Sequence, residues 1–575
     1  MAQPAPPADR DLASRHEART LVGRAVAARP LLAELSQDAI DAIVDAMAAA
    51  ATAHAEAFAR LACEETGFGV VADKVIKNRF ASEAVHRFIR PMKTVGVIRR
   101  DEARQVIEIA EPFGIVAAII PSTNPTSTTI YKLLIALKAR CPIVVSPHPA
   151  AVRCITHVAE VMSEAAARAG APDGSIGWMR TVTLEGTEEL MRSRQVAVIL
   201  ATGGMGLVRA AYSAGKPAYG VGPGNAPAYI ERTADVAKAV RDIVAGKTFD
   251  NGLLCSSETS VVVDEVVADE ARRGLTALGA YFLSPAEADA LAAVLVTPQR
   301  LPNPALVGQP ATRIAERAGI RVPPDTRVLI APLAGVGREH PLSIEKLCPV
   351  LSFYVVKDWR EGCERCKQIL AYGGMGHTMA IHSRDEAVIL EFGLKKPAFR
   401  IVVNTPTAHG SIGLTTGLDP ALTLGCGGYG GNITSDNISP RHLLNVKRLA
   451  YGIRPVPAAG DTVHAGATSA ERPVGAVARL PSAPERPPAP RGIGADALLR
   501  GIDRALGARG FEPEAPVAAA PPTVAPAAFV CEEDVRLAMR DGRTILVDER
   551  TIITPSARDL GQTTNVLVHS GMTGV

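Results

Sequence analysis

No run of lysine or arginine in this 575-residue chain concentrates charge: 62 basic and 59 acidic residues leave a formal +3. Without a basic stretch there is no electrostatic footprint for nucleic acid, and that class of partner is set aside. No uninterrupted apolar stretch approaches the roughly 20 residues that span a bilayer. The opening Met-Ala-Gln-Pro-Ala-Pro-Pro-Ala-Asp-Arg lacks a basic segment followed by an apolar core, so a cytosolic, non-membrane chain is expected. Cysteine is sparse and odd in number: nine, at 63, 141, 154, 255, 348, 363, 366, 426 and 531. Such scatter fits reduced thiols rather than a disulfide scaffold. Cys363-x-x-Cys366 has no second ligand pair, so no metal site is expected. Another absence is local: the glycine-rich run Gly220-Val-Gly-Pro-Gly-Asn225 carries no acid.

What is present is apolar. Hydrophobic residues make up 47% of the chain, enough for large cores, and the length predicts two or three domains. Residues 13 to 90 read as helices: Leu31, Leu32, Leu35, Ile40, Ile43, Val44 and Met47 recur at helical spacing, with Ser36 placed to cap the following segment. From about 106 the pattern becomes short apolar runs alternating with helical stretches. Strands are predicted at 106–109, 114–120, 143–145, 196–200 and 229–230, with helices near 127–139, 150–169, 185–193 and 204–214. A second set of strands, at 259–263, 327–331, 350–356, 378–382 and 401–403, suggests another α/β domain. The alternation argues for parallel sheets with crossover helices. Near 455 the composition turns to Pro, Ala, Gly and Arg, which reads as a flexible linker. One island, 494–507, places Leu498, Leu499, Ile502, Ala505 and Leu506 on an apolar helical stripe that wants a partner surface. Beyond it, a helix near 533–540, a turn at Asp541-Gly542 and a hairpin of 544–547 with 551–554 are expected.

Cys255 is the candidate nucleophile. A thiol ionises near pH 8.5 unless its surroundings favour the thiolate, and Cys255 sits in a polar turn, Asp250-Asn-Gly-Leu-Leu-Cys-Ser-Ser-Glu258. A cysteine that forms a thioester without a nearby base to activate water must pass the acyl group elsewhere, and a second thiol is the obvious acceptor. Asp250 or Glu258 would have to serve if water were the acceptor.

Five segments occur in the order of the aldehyde dehydrogenase superfamily: Glu111 to Pro125, Ala201-Thr-Gly-Gly-Met-Gly206, Gly220 to Asn225, the Cys255 segment and Glu345-Lys-Leu-Cys-Pro349. The chain more closely resembles the CoA-acylating branch, the acetaldehyde and propionaldehyde dehydrogenases, through Thr66-Gly-Phe-Gly69, Ser146-Pro-His-Pro149, Gly376-His-Thr378 and His442-Leu-Leu-Asn-Val-Lys447. The resemblance covers roughly residues 15 to 452. It implies an α/β aldehyde dehydrogenase fold with a cofactor-binding domain at 1–231, a catalytic domain at 232–424 and a return segment used in oligomerisation at 425–452. A Pro/Ala-rich linker at 453–528 and a small segment at 529–575 make up the flexible C-terminal extension.

Carried over by position, Cys255 matches the nucleophile and Asn124 the side chain that completes the oxyanion hole. Thr202, Gly203, Gly204, Gly206, Pro121 and Ser122 match the surroundings of the NAD pyrophosphate and nicotinamide, and Glu345 matches the acid that holds a ribose. His377 and Gly425 are implied near the substrate. Hydrolytic relatives place a water-activating glutamate where this chain has Gly220, so the resemblance implies transfer to coenzyme A. At the position of their adenosine-ribose lysine this chain has Ser146-Pro-His-Pro149, which leaves NAD against NADP open. The implied reaction turns a small aliphatic aldehyde, acetaldehyde or propionaldehyde, into its acyl-CoA, in a homodimer or homotetramer. A hydrolytic aldehyde or semialdehyde dehydrogenase and a non-catalytic scaffold are the competing readings. The helical stripe at 494–507 resembles the encapsulation peptides that dock enzymes inside bacterial microcompartments, which implies shell or cargo proteins as partners and the compartment lumen as location.

Overall fold

The computed structural model describes residues 9–454, 527, 529–548, 551–564 and 566–569, and the chain divides into two compact units, Met1–Gly460 and Asp461–Val575. The predicted stripe at 494–507 lies outside the described residues.

The first unit opens with helices. Asp9 caps Arg10–Ala33 by accepting the N–H groups of Asp11 and Leu12. Ser36 caps Gln37–Ala53 by accepting Ala39 N–H at 3.2 Å, as its position suggested. Leu32, Ile40, Ile43, Val44 and Met47 are buried, whereas Leu31 lies on the solvent face. Val71–Arg79 follows and carries Lys74 and Lys77, three residues apart and therefore on one face.

A five-stranded, all-parallel sheet has the order Ile176–Trp178, Ile143–Ser146, Ile115–Ile119, Val196–Thr202, Ala218–Val221. Its strands are near-continuous Val, Ile and Ala because helices cover both faces. Pro125–Lys138, every residue of which is buried, packs one face together with Val152–Arg168, while Ala18, Val22 and Leu190 pack the other.

A seven-stranded parallel sheet runs Ala280–Phe282, Val328–Pro332, Val350–Val356, Glu258–Asp264, Ala226–Ile230, Gly376–His382, Ala398–Val403. This corrects two expectations. The strand read at 229–230 belongs to this second sheet and not to the first, so the sheets change between Val221 and Ala226 rather than after residue 231. The strand read at 106–109 joins neither: Val106–Pro112 pairs antiparallel with Gly96–Asp101 and with Leu444–Ala450.

In the second unit, helices Glu532–Arg540 and Pro555–Thr564 share a small core of Val530, Val535, Ala538, Val547, Ala557 and Val566. The expected hairpin is absent. Ile545–Val547 pairs in parallel with Leu567–His569, and Ile552–Ile553 in parallel with Phe529–Val530. Between them Thr551 Oγ1 accepts Asp548 N–H at 2.9 Å. The strands then diverge to partners that helices can cover, which a lone two-stranded ribbon would lack. No helix among the described residues is long and apolar enough to cross a membrane.

Candidate active site

The carboxyl ends of the five-stranded sheet open into a cleft of about 430 Å3, the place where open parallel sheets bind ligands. Its walls are the segments that leave four of those strands: Ile119 to Asn124, Ser146 to Pro149, Thr202 to Gly204 and Val221 to Pro223. Leu253, Cys255, Glu345 and Leu347 close it from the other side. Pro121, Ser122, Asn124, Thr202, Gly203, Gly204, Cys255 and Glu345 therefore meet on one surface. Gly206 is on the exposed face of helix Met205–Tyr212 and is not part of the wall.

Cys255 follows a tight turn in which Asp250 (φ 50°), Asn251 (φ 53°) and Gly252 (φ 73°) are left-handed. Two consecutive non-glycine residues hold that conformation only where the surroundings over-determine it. Here a buried charge does so. Asp250 accepts from Val70 N–H at 2.7 Å, from Lys74 Nζ at 2.9 Å and from Lys77 Nζ, while its own N–H donates to Asp73 at 2.8 Å. Lys77 also donates to Asn124 Oδ1 at 2.6 Å. The Asn124 amide nitrogen, on the opposite side, lies 3.3 Å from Thr123 Oγ1 and 3.4 Å from the Leu253 carbonyl, two residues before Cys255. Burial pushes the Cys255 thiol up to about 12, with Glu345 and Cys426 adding to the rise and the buried Arg400 guanidinium opposing it.

The loop before strand Ala226–Ile230 presses against the nucleophile. A Cβ on Gly224 would lie 2.1 Å from the Cys255 carbonyl oxygen and 3.1 Å from the His377 ring. Gly224 N–H donates to Glu345 Oε1 at 2.8 Å, and burial raises that carboxyl to about 8. His377 is off the cleft wall, packed behind this loop. Its Nδ1 bonds Thr378 Oγ1 at 3.0 Å, its buried Nε2 has no partner, and burial beside Arg400 lowers it to about 3. Gly425 is also behind the site. Its carbonyl accepts from Arg400, and its N–H donates to Asp436 O. The neighbouring turn Gly428–Gly430 presents Tyr429 at the surface against Phe399.

Neither acid near the thiol in sequence lines the cleft. Asp250 is held by its two lysines, and Glu258 accepts Thr407 N–H at 2.6 Å against Gly246. At Gly220 a Cβ would meet Val208 Cγ1 at 2.8 Å and the Tyr212 hydroxyl at 3.0 Å, and that hydroxyl bonds both the N–H and the carbonyl of Gly220. A side chain there would have to displace the Val208 and Tyr212 side chains. Among the described residues no cluster of His, Cys, Asp and Glu could hold a metal ion, and Cys363 contacts Lys396 Nζ instead.

Three functional neighbours carry no local signal in the sequence: Lys74 and Lys77, whose partner Asp250 is more than 170 positions away, and Arg400. The polar rim at Ser146 and Thr187, hydroxyl to hydroxyl at 2.9 Å, is likewise visible only in the fold.

The model of the aldehyde dehydrogenase family matches residues 6–282. The bifunctional aldehyde-alcohol dehydrogenase of Escherichia coli (strain K12) is 44% identical over 76% of this chain and 49% of that protein. The chain spans about half the length of the curated relatives it matches at this level. The crystal structure of an acetylating aldehyde dehydrogenase from Geobacillus thermoglucosidasius is 50% identical, with a TM-score of 0.78 over 79% of this chain and 100% of that one. A propionaldehyde dehydrogenase from the fucose utilisation bacterial microcompartment of Clostridium phytofermentans is 28% identical, with a TM-score of 0.69 over 76% of this chain and 97% of that one. A thiol and an amide at the mouth of a parallel-sheet cleft, closed by a glycine loop without an acid, thus agree with these likenesses: the chain belongs to the aldehyde dehydrogenase family, in its CoA-acylating branch.

Proposed function

We propose that the protein oxidises acetaldehyde or propionaldehyde to the corresponding acyl-CoA, with Cys255 carrying the acyl group and NAD accepting the hydride. The observation that carries this reading is Gly220, which has no side chain where hydrolytic relatives place their water-activating acid and is crowded by the Val208 and Tyr212 side chains. The cleft fits a dinucleotide. Thr202 Oγ1 is buried without a partner, Gly204 caps helix Met205–Tyr212 without a side chain in the way, and free amides at a helix start favour phosphate. Glu345 is tied by one oxygen to Gly224, leaving the other for a ribose diol. NAD, when bound, supplies the hydride acceptor.

The residues of this chain do the rest. Cys255 adds to the aldehyde carbon as the thiolate, its proton having passed to water, and the resulting alkoxide is received by the Asn124 amide and the Cys255 backbone N–H; one such donor is worth about 3 to 4 kcal/mol. Loss of hydride from the adduct leaves a thioester. The CoA thiol then attacks its carbonyl, the Cys255 sulfur leaves as thiolate, and acyl-CoA departs. The incoming thiol gives up its proton to water as it attacks, and the departing Cys255 thiolate is the form that begins the next turnover.

The test is to supply propionaldehyde and NAD with and without CoA. Acyl-CoA and NADH should form in equal amounts; carboxylate formed without CoA at a comparable rate overturns the reading. The C-terminal extension is read as an encapsulation tag for a microcompartment, a reading supported by the stripe at 494–507 and by the likeness to the Clostridium phytofermentans enzyme. Truncation after Tyr451 should leave catalysis intact and abolish co-assembly with shell proteins. Self-association to a dimer or tetramer through the strand Leu444–Ala450, whose Leu449 is exposed beside Tyr451 and Ile453, is part of the same proposal and is checked by light scattering.

A further inference from the structure

Beneath Asn124 lies a buried charge cluster that the reaction above does not use. Asp250 needs one cation for neutrality, and Lys74 at 2.9 Å supplies it. Lys77 is a second lysine, 1% exposed, on the same carboxylate. Asp73, which accepts the Asp250 N–H at 2.8 Å, brings a second carboxylate to the cluster, so the two lysines differ in what they hydrogen-bond rather than in charge balance. What Lys77 does that Lys74 does not is bond the Asn124 side chain.

That bond selects an orientation. An asparagine amide can turn either its oxygen or its nitrogen toward a neighbour, and the two ends are similar in shape. An ammonium can only donate, so it bonds Oδ1 and forces the NH2 group to the far side, next to Thr123 Oγ1, the Leu253 carbonyl and the Cys255 mouth. We propose that Lys77, pinned by Asp250, is the positioning residue that aims the Asn124 amide nitrogen at the alkoxide formed on Cys255. The inference rests on the role given to Asn124 above.

The surrounding sequence provides for this arrangement. Lys77 projects from helix Val71–Arg79 beside Phe249, 5.9 Å from its ring centroid. Gly69 provides the space for Asp250: a Cβ there would lie 2.0 Å from Asp250 Oδ1. Thr66-Gly-Phe-Gly69, a motif without a role in the chemistry, thereby acquires one. The left-handed pair Asp250 and Asn251 turns the carboxylate back under the helix, so one turn sets both the path to Cys255 and the anchor for Lys77.

A double-mutant cycle tests it on the full chain with propionaldehyde, NAD and CoA. Lys77→Met keeps the Lys74–Asp250 pair and should lower kcat about 10- to 100-fold with KM for aldehyde little changed, as for a misaimed oxyanion donor. Asn124→Ala should cost at least as much. The two together should cost no more than Asn124→Ala alone, because Lys77 acts through that amide. Iodoacetamide alkylation of Cys255 at the wild-type rate in each variant shows that the thiol and its turn are undisturbed. If Lys77→Met does not fold, Lys77→Gln, a bond too short to span Asp250 and Asn124, should show the same fall. A loss in Lys77→Met that adds fully to that of Asn124→Ala overturns the positioning role, as does an unchanged kcat in Lys77→Met while Asn124→Ala is impaired. An unimpaired Asn124→Ala sinks the oxyanion reading itself, and the positioning role with it.

Discussion

The two sides of the cleft are built by different means. The side proposed to take the nucleotide is backbone: Thr202 to Gly204 and Pro121 to Ser122 leave the ends of parallel strands and line the cleft. The thiol side is side-chain architecture, in which Asp250, Lys74 and Lys77 hold Asn124 and the turn that leads to Cys255. Backbone walls tolerate small additions because a ligand can shift along them. A wall made of interlocked charges and a glycine pressed on the nucleophile has no such slack.

Glycine-to-alanine changes on the two sides should break that symmetry most clearly. At Gly224 the new Cβ would lie 2.1 Å from the Cys255 carbonyl oxygen, a backbone atom that cannot step aside. Displacing the nucleophile by that route should cost about 10²-fold or more in kcat, read from steady-state NADH formation with the circular dichroism spectrum unchanged. A variant that retains most of its activity would show the thiol wall to be as yielding as the other. Next in size is the response of the thiol to pH. With Cys255 held up near 12 in the cofactor-free enzyme, only the thiolate fraction reacts. Iodoacetamide alkylation should therefore climb about tenfold per pH unit above neutrality with no plateau below about pH 10. A plateau near neutrality would mean that Arg400 outweighs burial.

How much of this was legible in the sequence follows the same division. Strand Val350–Val356 coincides with its sequence reading because a β-branched and aromatic run, buried at every position but Val355, has few other places to go. That Thr202 to Gly204 line the cleft was legible because a strand end and its glycines are contiguous. Ala226–Ile230 was read into the wrong sheet because sequence order says nothing of which sheet a crossover enters. It sits between Glu258–Asp264 and Gly376–His382, neither of which precedes it. Lys77 was invisible for a sharper reason: a lysine on an amphipathic helix reads as solvent-facing, and only a carboxylate 173 positions away turns it inward. Gly220 was read correctly as lacking an acid, but that Tyr212 and Val208 fill its space required coordinates.

On the nucleotide side the expected effects are smaller. Gly203→Ala places a Cβ 2.7 Å from Leu207 Cδ2, the free end of a flexible side chain. KM for NAD should rise a few-fold, by about 1 kcal/mol of lost binding, with kcat nearly unchanged; a kcat loss approaching that of Gly224→Ala would erase the contrast between the walls.

Glu345 stands at the seam of the two walls, and its titration bears on stability. Its carboxyl is raised from 4.5 to about 8 by burial, against the Gly224 N–H bond that lowers it. Between those values the folded protein holds a proton that the unfolded chain has released, so ν_N exceeds ν_U and stability falls as pH rises through the window. The favourable contribution is complete below about pH 4.5 and gone above about pH 8. Glu345→Gln cannot titrate and keeps an amide oxygen for Gly224, so its melting temperature should decline less than the wild type's between about pH 5 and about pH 8. Parallel declines in the two proteins would mean that Glu345 is already ionised in the free enzyme, with the charge of the cleft set elsewhere on the thiol side.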